Sequence, residues 1–157
     1  MPGGGARITS DDRGFRALLR RITSQGQPEV TVGVHESDGA KDHGDDVTVI
    51  DVASFHEFGT QDIPPRSFIR GWADENEQAN AERLRKIAQA VVKGQLQSTE
   101  QGLERFGNFA VGDIQKRIRD RIPPPLTEET IARKGSSVPL IDTGQLRSSI
   151  TYRVGKR

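Results

Sequence analysis

Three histidines, His35, His43 and His56, lie near many acids and are the residues best suited to metal binding. A metal site needs three or four such side chains that converge on one point. Their spacing fits no zinc motif, because His56-Glu57-Phe58-Gly59 lacks the second histidine of H-E-x-x-H. The acidic stretch at residues 38–46 lacks the residue order of a calcium loop. We therefore expect no metal or cofactor, and a metal-dependent enzyme using His35, His56 and nearby acids remains an alternative hypothesis.

Nucleophilic catalysis would need a serine, threonine or cysteine beside a base that an acid orients. The chain has no cysteine, and none of its serines stands in a G-x-S-x-G nucleophile elbow. The glycine run at residues 3–5 follows no predicted strand, so it does not indicate a phosphate-binding loop. The sequence therefore predicts that the protein is not an enzyme.

A basic run near the end of a predicted helix is the feature best suited to binding nucleic acid. Its bases alternate with isoleucines at helical spacing, and the run comprises Lys116, Arg117, Ile118, Arg119, Arg121 and Ile122. One interpretation is the solvated face of an amphipathic helix, and the other is a patch that faces DNA or an acidic partner. The net charge of +1 lacks the basic excess typical of nucleic-acid binders. A small nucleic-acid-binding or regulatory module remains the alternative function.

Charge is unevenly distributed along the chain. Residues 35–62 carry eight acids and one base, whereas the flanks on both sides carry a net positive charge. Such asymmetry can bring complementary surfaces together, and the alternative is that the acids lie on one solvated loop. The 157 residues have the length of a single domain, and no apolar run approaches the roughly 18 residues of a membrane helix. We therefore expect one domain over residues 1–157 and no membrane partner.

Hydrophobic periodicity locates the main elements. A helix is predicted over residues 14–23, where one face carries Phe15, Leu18, Leu19 and Ile22 and arginines cover the rest. Alternation predicts strands over residues 29–35 and 149–154. Residues 47–58 are compatible with a strand or a helix, and we favour a helix over residues 50–58 that ends at Gly59. Helical periodicity also covers residues 66–93 and 99–121, as one helix or two.

Three segments are predicted to lack regular structure: a flexible N-terminus at residues 1–12, an acidic loop at 37–46 and an irregular arm at 123–141. Together the elements predict an α+β fold, in which a small antiparallel or mixed sheet packs with two or more long helices, with extended loops or arms. A sheet of so few strands has open edges, and open edges invite pairing with a neighbouring chain. Oligomerisation is therefore expected.

Three short motifs stand out against this background. They are Glu57-Phe58-Gly59-Thr60, then Pro64-Pro65-Arg66-Ser67-Phe68-Ile69-Arg70, and finally P-L-I-D-T-G-Q-L-R-S-S-I at residues 139–150. Gly59 permits a left-handed turn, and Pro64 fixes a backbone angle. Arg66 can donate paired hydrogen bonds to a carboxylate such as Glu57, and Asp142 or Thr143 can cap the turn before the last strand. Each motif therefore contains residues that can fix the angle between the elements on either side of it, and we call such a motif a joint.

In this order, the three motifs resemble those of the small neck and tail-completion proteins of long-tailed bacteriophages, and the resemblance covers about residues 29–154. The chain departs from that family at Ser67, where a second proline is frequent, and in the extended acidic loop at 37–46. The resemblance implies a non-enzymatic structural subunit of the head–tail joint, of the tail-completion or tail-terminator type. It implies a homo-oligomeric ring, with six subunits favoured, between the capsid connector and the tail tube.

The resemblance also implies partners and a location. The partners are head–tail connector or stopper proteins and tail tube or terminator proteins, with genome DNA passing through the ring lumen. The location is the virion neck, and the host cytoplasm during assembly.

Two sets of residues are the candidate joint and interaction residues. The first set is Glu57, Phe58, Gly59, Thr60, Pro64, Arg66 and Phe68, which we expect to place the long helix, and the second is Asp142, Thr143, Gly144, Leu146 and Arg147. For Phe58, Gly59 and Phe68 we favour a role as core and turn residues without direct partner contact.

Overall fold

The computed structural model describes residues 28–40, 47–120, 122–135 and 144–156, together with the single positions 16, 19, 137 and 140. Within these ranges the chain forms two strands and seven helices. In chain order they are β1 (Pro28–Val34), α1 (Glu36–Gly39), α2 (Val49–Phe58), α3 (Arg70–Glu75), α4 (Glu77–Val92), α5 (Thr99–Arg119), α6 (Glu128–Lys134), α7 (Gln145–Ser148) and β2 (Ile150–Lys156). The predicted α+β class is confirmed.

The two predicted strands are present and pair with each other in antiparallel register. Val32 lies opposite Tyr152, and Val34 lies opposite Ile150. Each strand begins within one residue of its predicted start, and β2 runs two residues beyond its predicted end. In the part of the chain that the structure describes, the sheet has these two strands alone, so each keeps one edge without a strand partner.

Helix α5 is the central element of the fold. The side chain of Ser98 accepts a hydrogen bond from the Gln101 amide and so caps the first turn. Its apolar residues at helical spacing are buried against the sheet, with Ala110, Ile114 and Ile118 fully inaccessible to solvent. Gly107 allows close approach to β2, since an added Cβ would lie 2.4 Å from a ring carbon of Tyr152. The sheet and α5 therefore form two layers in close contact.

Residues 47–58 are compatible by sequence with a strand or a helix, and the structure shows helix α2 there. Its start carries a capping box, in which the Thr48 hydroxyl accepts from the Asp51 amide and the Asp51 carboxylate accepts from the Thr48 amide. The Thr48 hydroxyl also donates to the Asp51 carboxylate at 2.5 Å, and this bond together with the one from the Thr48 amide lowers the pKa of Asp51 below its ordinary value. Its end is at Gly59, whose amide donates to the Phe55 carbonyl, as the sequence predicts.

The helix expected over residues 66–93 is divided and begins later than predicted. Residues 66–69 precede the helix, because the amides of Arg66, Phe68 and Ile69 serve other bonds and the two prolines hold the chain extended. The helical run then breaks at Asn76, with φ of −111°, between α3 and α4. Gly94, with φ of 73°, lies between α4 and α5, so residues 66–121 do not form one helix.

Two segments expected to be irregular contain short helices. The acidic loop opens with α1, a single turn that the Ala40 amide closes on the Glu36 carbonyl, and residues 41–46 lie outside the described residues. The arm at 123–141 contains α6, because the Thr127 hydroxyl caps its start and Gly135 ends it in a left-handed conformation.

The predicted N-terminal helix over residues 14–23 lies outside the described residues except at Arg16 and Leu19, which are both helical. Residues 1–12, predicted to be flexible, also lie outside them. None of the helices that the structure describes has the length and apolar character needed to cross a bilayer.

Candidate functional site

The carboxylate of Glu57 is the centre of the site. Val49, Ala53 and Glu57 recur every four residues, so α2 directs all three inward, and Glu57 is only 6% exposed. The carboxylate accepts four hydrogen bonds, from the Ser67 hydroxyl at 2.5 Å and from the amides of Phe68, Ile69 and Arg70 at 2.9, 3.0 and 2.8 Å. These amides precede or open α3, so Glu57 caps that helix from another element.

The charge of Glu57 is stabilised by these partners. Burial raises the pKa of the Glu57 carboxyl, but the hydrogen bonds from Ser67 and the three amides together outweigh burial and hold the pKa below its ordinary value of 4.5. The group is therefore ionised at neutral pH. An ionised carboxylate whose lone pairs are occupied by internal donors acts as a structural anion rather than as a proton carrier.

Ser67 contributes directly to this cap. Its hydroxyl donates to Glu57 and accepts a hydrogen bond from the Gly71 amide at 3.1 Å. Proline has no hydroxyl and would supply neither bond. The hydroxyl of Ser67 therefore contributes two hydrogen bonds to the joint.

Arg66 is buried, at 4% exposure, but it does not pair with Glu57 as expected. Its Nε donates to the Pro124 carbonyl at 2.8 Å, and its Nη2 lies 3.5 Å from the Pro125 carbonyl. Its backbone amide donates to the His56 carbonyl at 2.7 Å. Burial lowers the pKa of the Arg66 guanidinium. Arg66 therefore links the end of α2 to the segment that follows α5, and Glu57 takes its donors from elsewhere.

The turn between α2 and Arg66 is rigid. Gly59 has φ of 79° and ψ of 166°, and an added Cβ would lie 3.0 Å from Cδ of Pro65. Thr60 closes the turn, because its hydroxyl accepts from the Ile63 amide at 3.0 Å and its amide donates to the Ile63 carbonyl at 2.8 Å. Thr60 and Pro64 are both exposed, so the turn projects from the surface.

The joint, formed by Glu57 and residues 66–72, also contacts the C-terminal half of α5. Arg117 donates from Nε to the Ser67 carbonyl at 3.3 Å and forms an ion pair with Glu75 of α3. Trp72 donates from Nε1 to the Asp113 carboxylate at 3.2 Å. Three elements, α2, α3 and α5, are therefore fixed relative to one another around residues 66–72.

The same contacts bear on the basic run at the end of α5. Arg117 is engaged by Glu75 and Ser67, whereas Lys116 and Arg119 are exposed. Arg121 lies outside the described residues. The internal partners of Arg117 favour the amphipathic-helix interpretation at that position.

The second predicted joint is described in part. Asp142 and Thr143 lie outside the described residues. Gly144 has φ of 78° and immediately precedes α7, Arg147 is half-buried, and Leu146 is buried. Leu146 belongs to the same core cluster as Val49 and Phe68, and Phe68 is fully buried. The two joints therefore share one core.

The histidines do not form a metal site in the part of the chain that the structure describes, where no group of three or more metal-binding side chains is present. His35 lies between Thr31 and Thr151, with ring nitrogens 3.0 and 2.9 Å from the two hydroxyls. It therefore helps to bridge β1 and β2. His56 lies on α2, and His43 falls outside the described residues.

An apolar groove of about 400 Å³ lies beside the joint, along one side of α2. We call it the α2 groove, and its apolar lining is Val34, Ile50, Ala53, Phe58, Phe68 and Ile69. Phe58 is 68% exposed and Ile50 is 39% exposed. The guanidinium of Arg70 lies over the Phe58 ring, with its carbon 5.8 Å from the ring centroid.

The expectation that Phe58 is a core residue is therefore wrong. The reason is its helical position, because Phe58 lies one residue past the inward face that carries Glu57. A sequence signal for the outer face exists, since Ile50, Ser54 and Phe58 recur every four residues and all line the α2 groove. Ser67 and Arg117, which complete the joint, carry no comparable signal.

Comparison of the chain with protein-family models, with curated proteins and with solved structures finds no match.

Proposed function

We propose that this chain is a structural subunit of the bacteriophage head–tail joint, of the tail-completion or tail-terminator type. The observation that carries the proposal is the convergence of the motifs on which the resemblance rests. Glu57 of the first motif binds the amides of Phe68, Ile69 and Arg70 in the second, and Leu146 of the third enters the same core. The first two motifs are therefore joined by hydrogen bonds, and the third, about 70 residues further along the chain, shares their core.

The chemistry of this unit supports a structural role rather than catalysis. Its charged groups, Glu57 and Arg66, are buried and have internal partners. The unit exposes the apolar α2 groove and the turn after α2. Exposed apolar surface beside a well-ordered turn is typical of protein–protein contact sites.

The proposed assembly is a ring, with six subunits favoured, between the capsid connector and the tail tube. Ring contacts are heterologous, so each subunit presents two different surfaces. The acidic stretch 35–62 and the basic flanks provide unlike surfaces for such a contact. The proposed neighbours are connector or stopper proteins on one side and tail tube or terminator proteins on the other. The ring would lie in the virion neck, with DNA passing through its lumen.

Deletion of the gene from the phage or prophage genome that carries it tests this proposal. We expect induced lysates to contain DNA-filled heads and separate tails in negative-stain electron microscopy. A plasmid copy of the wild-type gene should restore joined particles, and a tagged copy should be located at the neck. Joined and infectious particles from the deletion strain would contradict the proposal.

A further inference from the structure

Arg70 is the charged group that the lining of the α2 groove leaves exposed. Glu57 also lines the groove, but each of its two carboxylate oxygens accepts two internal hydrogen bonds. The guanidinium of Arg70 lies over the Phe58 ring and makes no hydrogen bond or ion pair with the residues that the structure describes. A guanidinium has five N–H donors. The groove therefore fits an occupant that combines an apolar side chain with a carboxylate.

The turn after α2 presents such a pair of groups on adjacent residues. Asp62 is exposed, and Ile63 is half-buried. Within the described ranges, the Asp62 carboxylate makes no hydrogen bond or ion pair, since the bond from Asp62 to Thr60 comes from its backbone amide. The two hydrogen bonds between Thr60 and Ile63 hold the turn in place. A backbone that is already ordered loses little conformational entropy when its side chains bind.

We propose that the turn at residues 60–64 of a second copy of this chain docks in the α2 groove. Ile63 of the second copy contacts the apolar lining, and its Asp62 carboxylate accepts paired hydrogen bonds from the Arg70 guanidinium. The groove volume of about 400 Å³ lies near the lower end of the range of ligand sites, which suits a single projecting turn. Asp62 belongs to the acidic stretch 35–62, and Arg70 lies beyond it in a net basic flank. The contact therefore joins the two regions of opposite charge.

The turn does not fill the groove of its own chain. Ile63 is absent from the groove lining, although the turn follows directly on Phe58. The chain is fixed on both sides of the turn apex, by the bonds between Thr60 and Ile63 and by the bond from the Arg66 amide to the His56 carbonyl. Moving the turn into its own groove would break these bonds. A second copy supplies the same turn with the bonds intact.

The turn and the groove are different surfaces, so the contact is heterologous and its repetition generates a ring or an open chain. The inference deepens the proposed function, on which it rests for closure into a ring, because it names the contact between neighbouring subunits. Purified protein tests the contact, whereas deletion of the gene tests the neck assignment. Failure of one is therefore distinguishable from failure of the other.

Charge reversal in two separate chains tests the contact. Asp62→Arg and Arg70→Asp are purified separately, measured by light scattering behind a sizing column, and then mixed. Each variant alone places like charges across the contact, so we expect its association to weaken about tenfold or more and its mass to fall toward 17.3 kDa. In the mixture, the reversed turn of one variant meets the reversed groove of the other, and the remaining turn and groove keep their native charges. The mixture should therefore regain the wild-type mass, with equal amounts of the two chains.

Controls separate loss of the contact from other effects of charge reversal. Glu104→Arg reverses an exposed acid on α5, outside the groove, and should keep the wild-type mass. Both side chains of the proposed pair are exposed, so both reversed chains should unfold cooperatively in circular dichroism. Asp62→Asn and Arg70→Gln remove the charges without reversal and should weaken association less.

Three results would overturn the proposal. They are a monomeric wild type, a mixture of the two reversed chains that stays at the mass of its components, and a wild-type mass for either reversed chain alone. The last result would leave the groove to an unlike protein.

Discussion

Glu57 and Phe58 are consecutive in the sequence but belong to regions with opposite character. The joint around Glu57 buries a charge and occupies it with four internal donors. The α2 groove beside Phe58 is apolar and leaves that ring 68% exposed. The difference shows that one short motif can face two environments. Its inward residue Glu57 fixes neighbouring backbone, and its outward residue Phe58 lines an exposed apolar groove.

Replacing Glu57 by glutamine should cause the largest loss of stability. The side-chain amide would place its own N–H groups against backbone N–H donors and leave buried groups unpaired. We expect the free energy of unfolding to fall by about 3 kcal/mol in a denaturant titration. The matched control is Glu75→Gln, which removes an exposed partner of Arg117 and should change stability far less. Equal effects of the two substitutions would contradict the capping role.

Replacing Arg66 by alanine should cause the second largest loss. The change removes the donor to the Pro124 carbonyl and the packing of the buried Arg66 side chain. We expect a loss of about 2 kcal/mol by thermal or chemical unfolding. Arg66→Lys keeps the charge but not the planar fork, so it should restore only part of this loss. Unchanged melting and unchanged assembly of Arg66→Ala would count against a role for Arg66 in the joint.

Replacing Gly59 by alanine should cost about 2 kcal/mol, because its φ of 79° and ψ of 166° are accessible almost only to glycine. The added Cβ would also crowd Pro65. Gly144→Ala is the matched control. Its φ of 78° and ψ of 2° are left-handed helical, with nothing within 4 Å of an added Cβ, so we expect about 1 kcal/mol. A smaller loss at Gly59 than at Gly144 would argue against a rigid turn.

The joint should also be sensitive to acid. Because the pKa of Glu57 is lower in the folded chain than its ordinary value of 4.5, ionised Glu57 stabilises the fold above that pH. The stabilisation is lost as the pH falls through the folded-state pKa. The difference in unfolding free energy between wild type and Glu57→Gln should therefore be constant from about pH 8 to pH 5 and shrink below about pH 4.5. A difference that grows on acidification would contradict the assigned direction.

Much of the fold could be predicted from the sequence, because its strongest signals are periodic. The valines of β1 alternate, the inward stripe of α5 recurs at helical spacing, and Gly59 ends α2 as expected. The division of the helix at Asn76 and the turn of α1 were missed, because hydrophobic periodicity does not report local hydrogen bonding.

The partners within the joint could not be predicted. Glu57 binds backbone amides. Because every residue except proline has a backbone amide, residue types in the sequence do not identify the donors. Arg66 binds the Pro124 carbonyl, 58 positions away, and only the fold brings the two together. The chemistry of these side chains was visible in the sequence, whereas the identity of their partners depends on tertiary structure.

Light scattering behind a sizing column gives the mass of the purified protein. This mass tests most directly whether Phe58 serves association while Glu57 serves folding. The wild type and Phe58→Ser are compared, together with their melting temperatures. We predict a discrete multiple of 17.3 kDa for the wild type, with a hexamer favoured. Phe58→Ser should be a 17.3 kDa monomer that still unfolds cooperatively, with a melting temperature lowered only by the loss of the subunit contacts. A wild type that is monomeric at every concentration, or a Phe58→Ser variant of unchanged mass, would contradict the account.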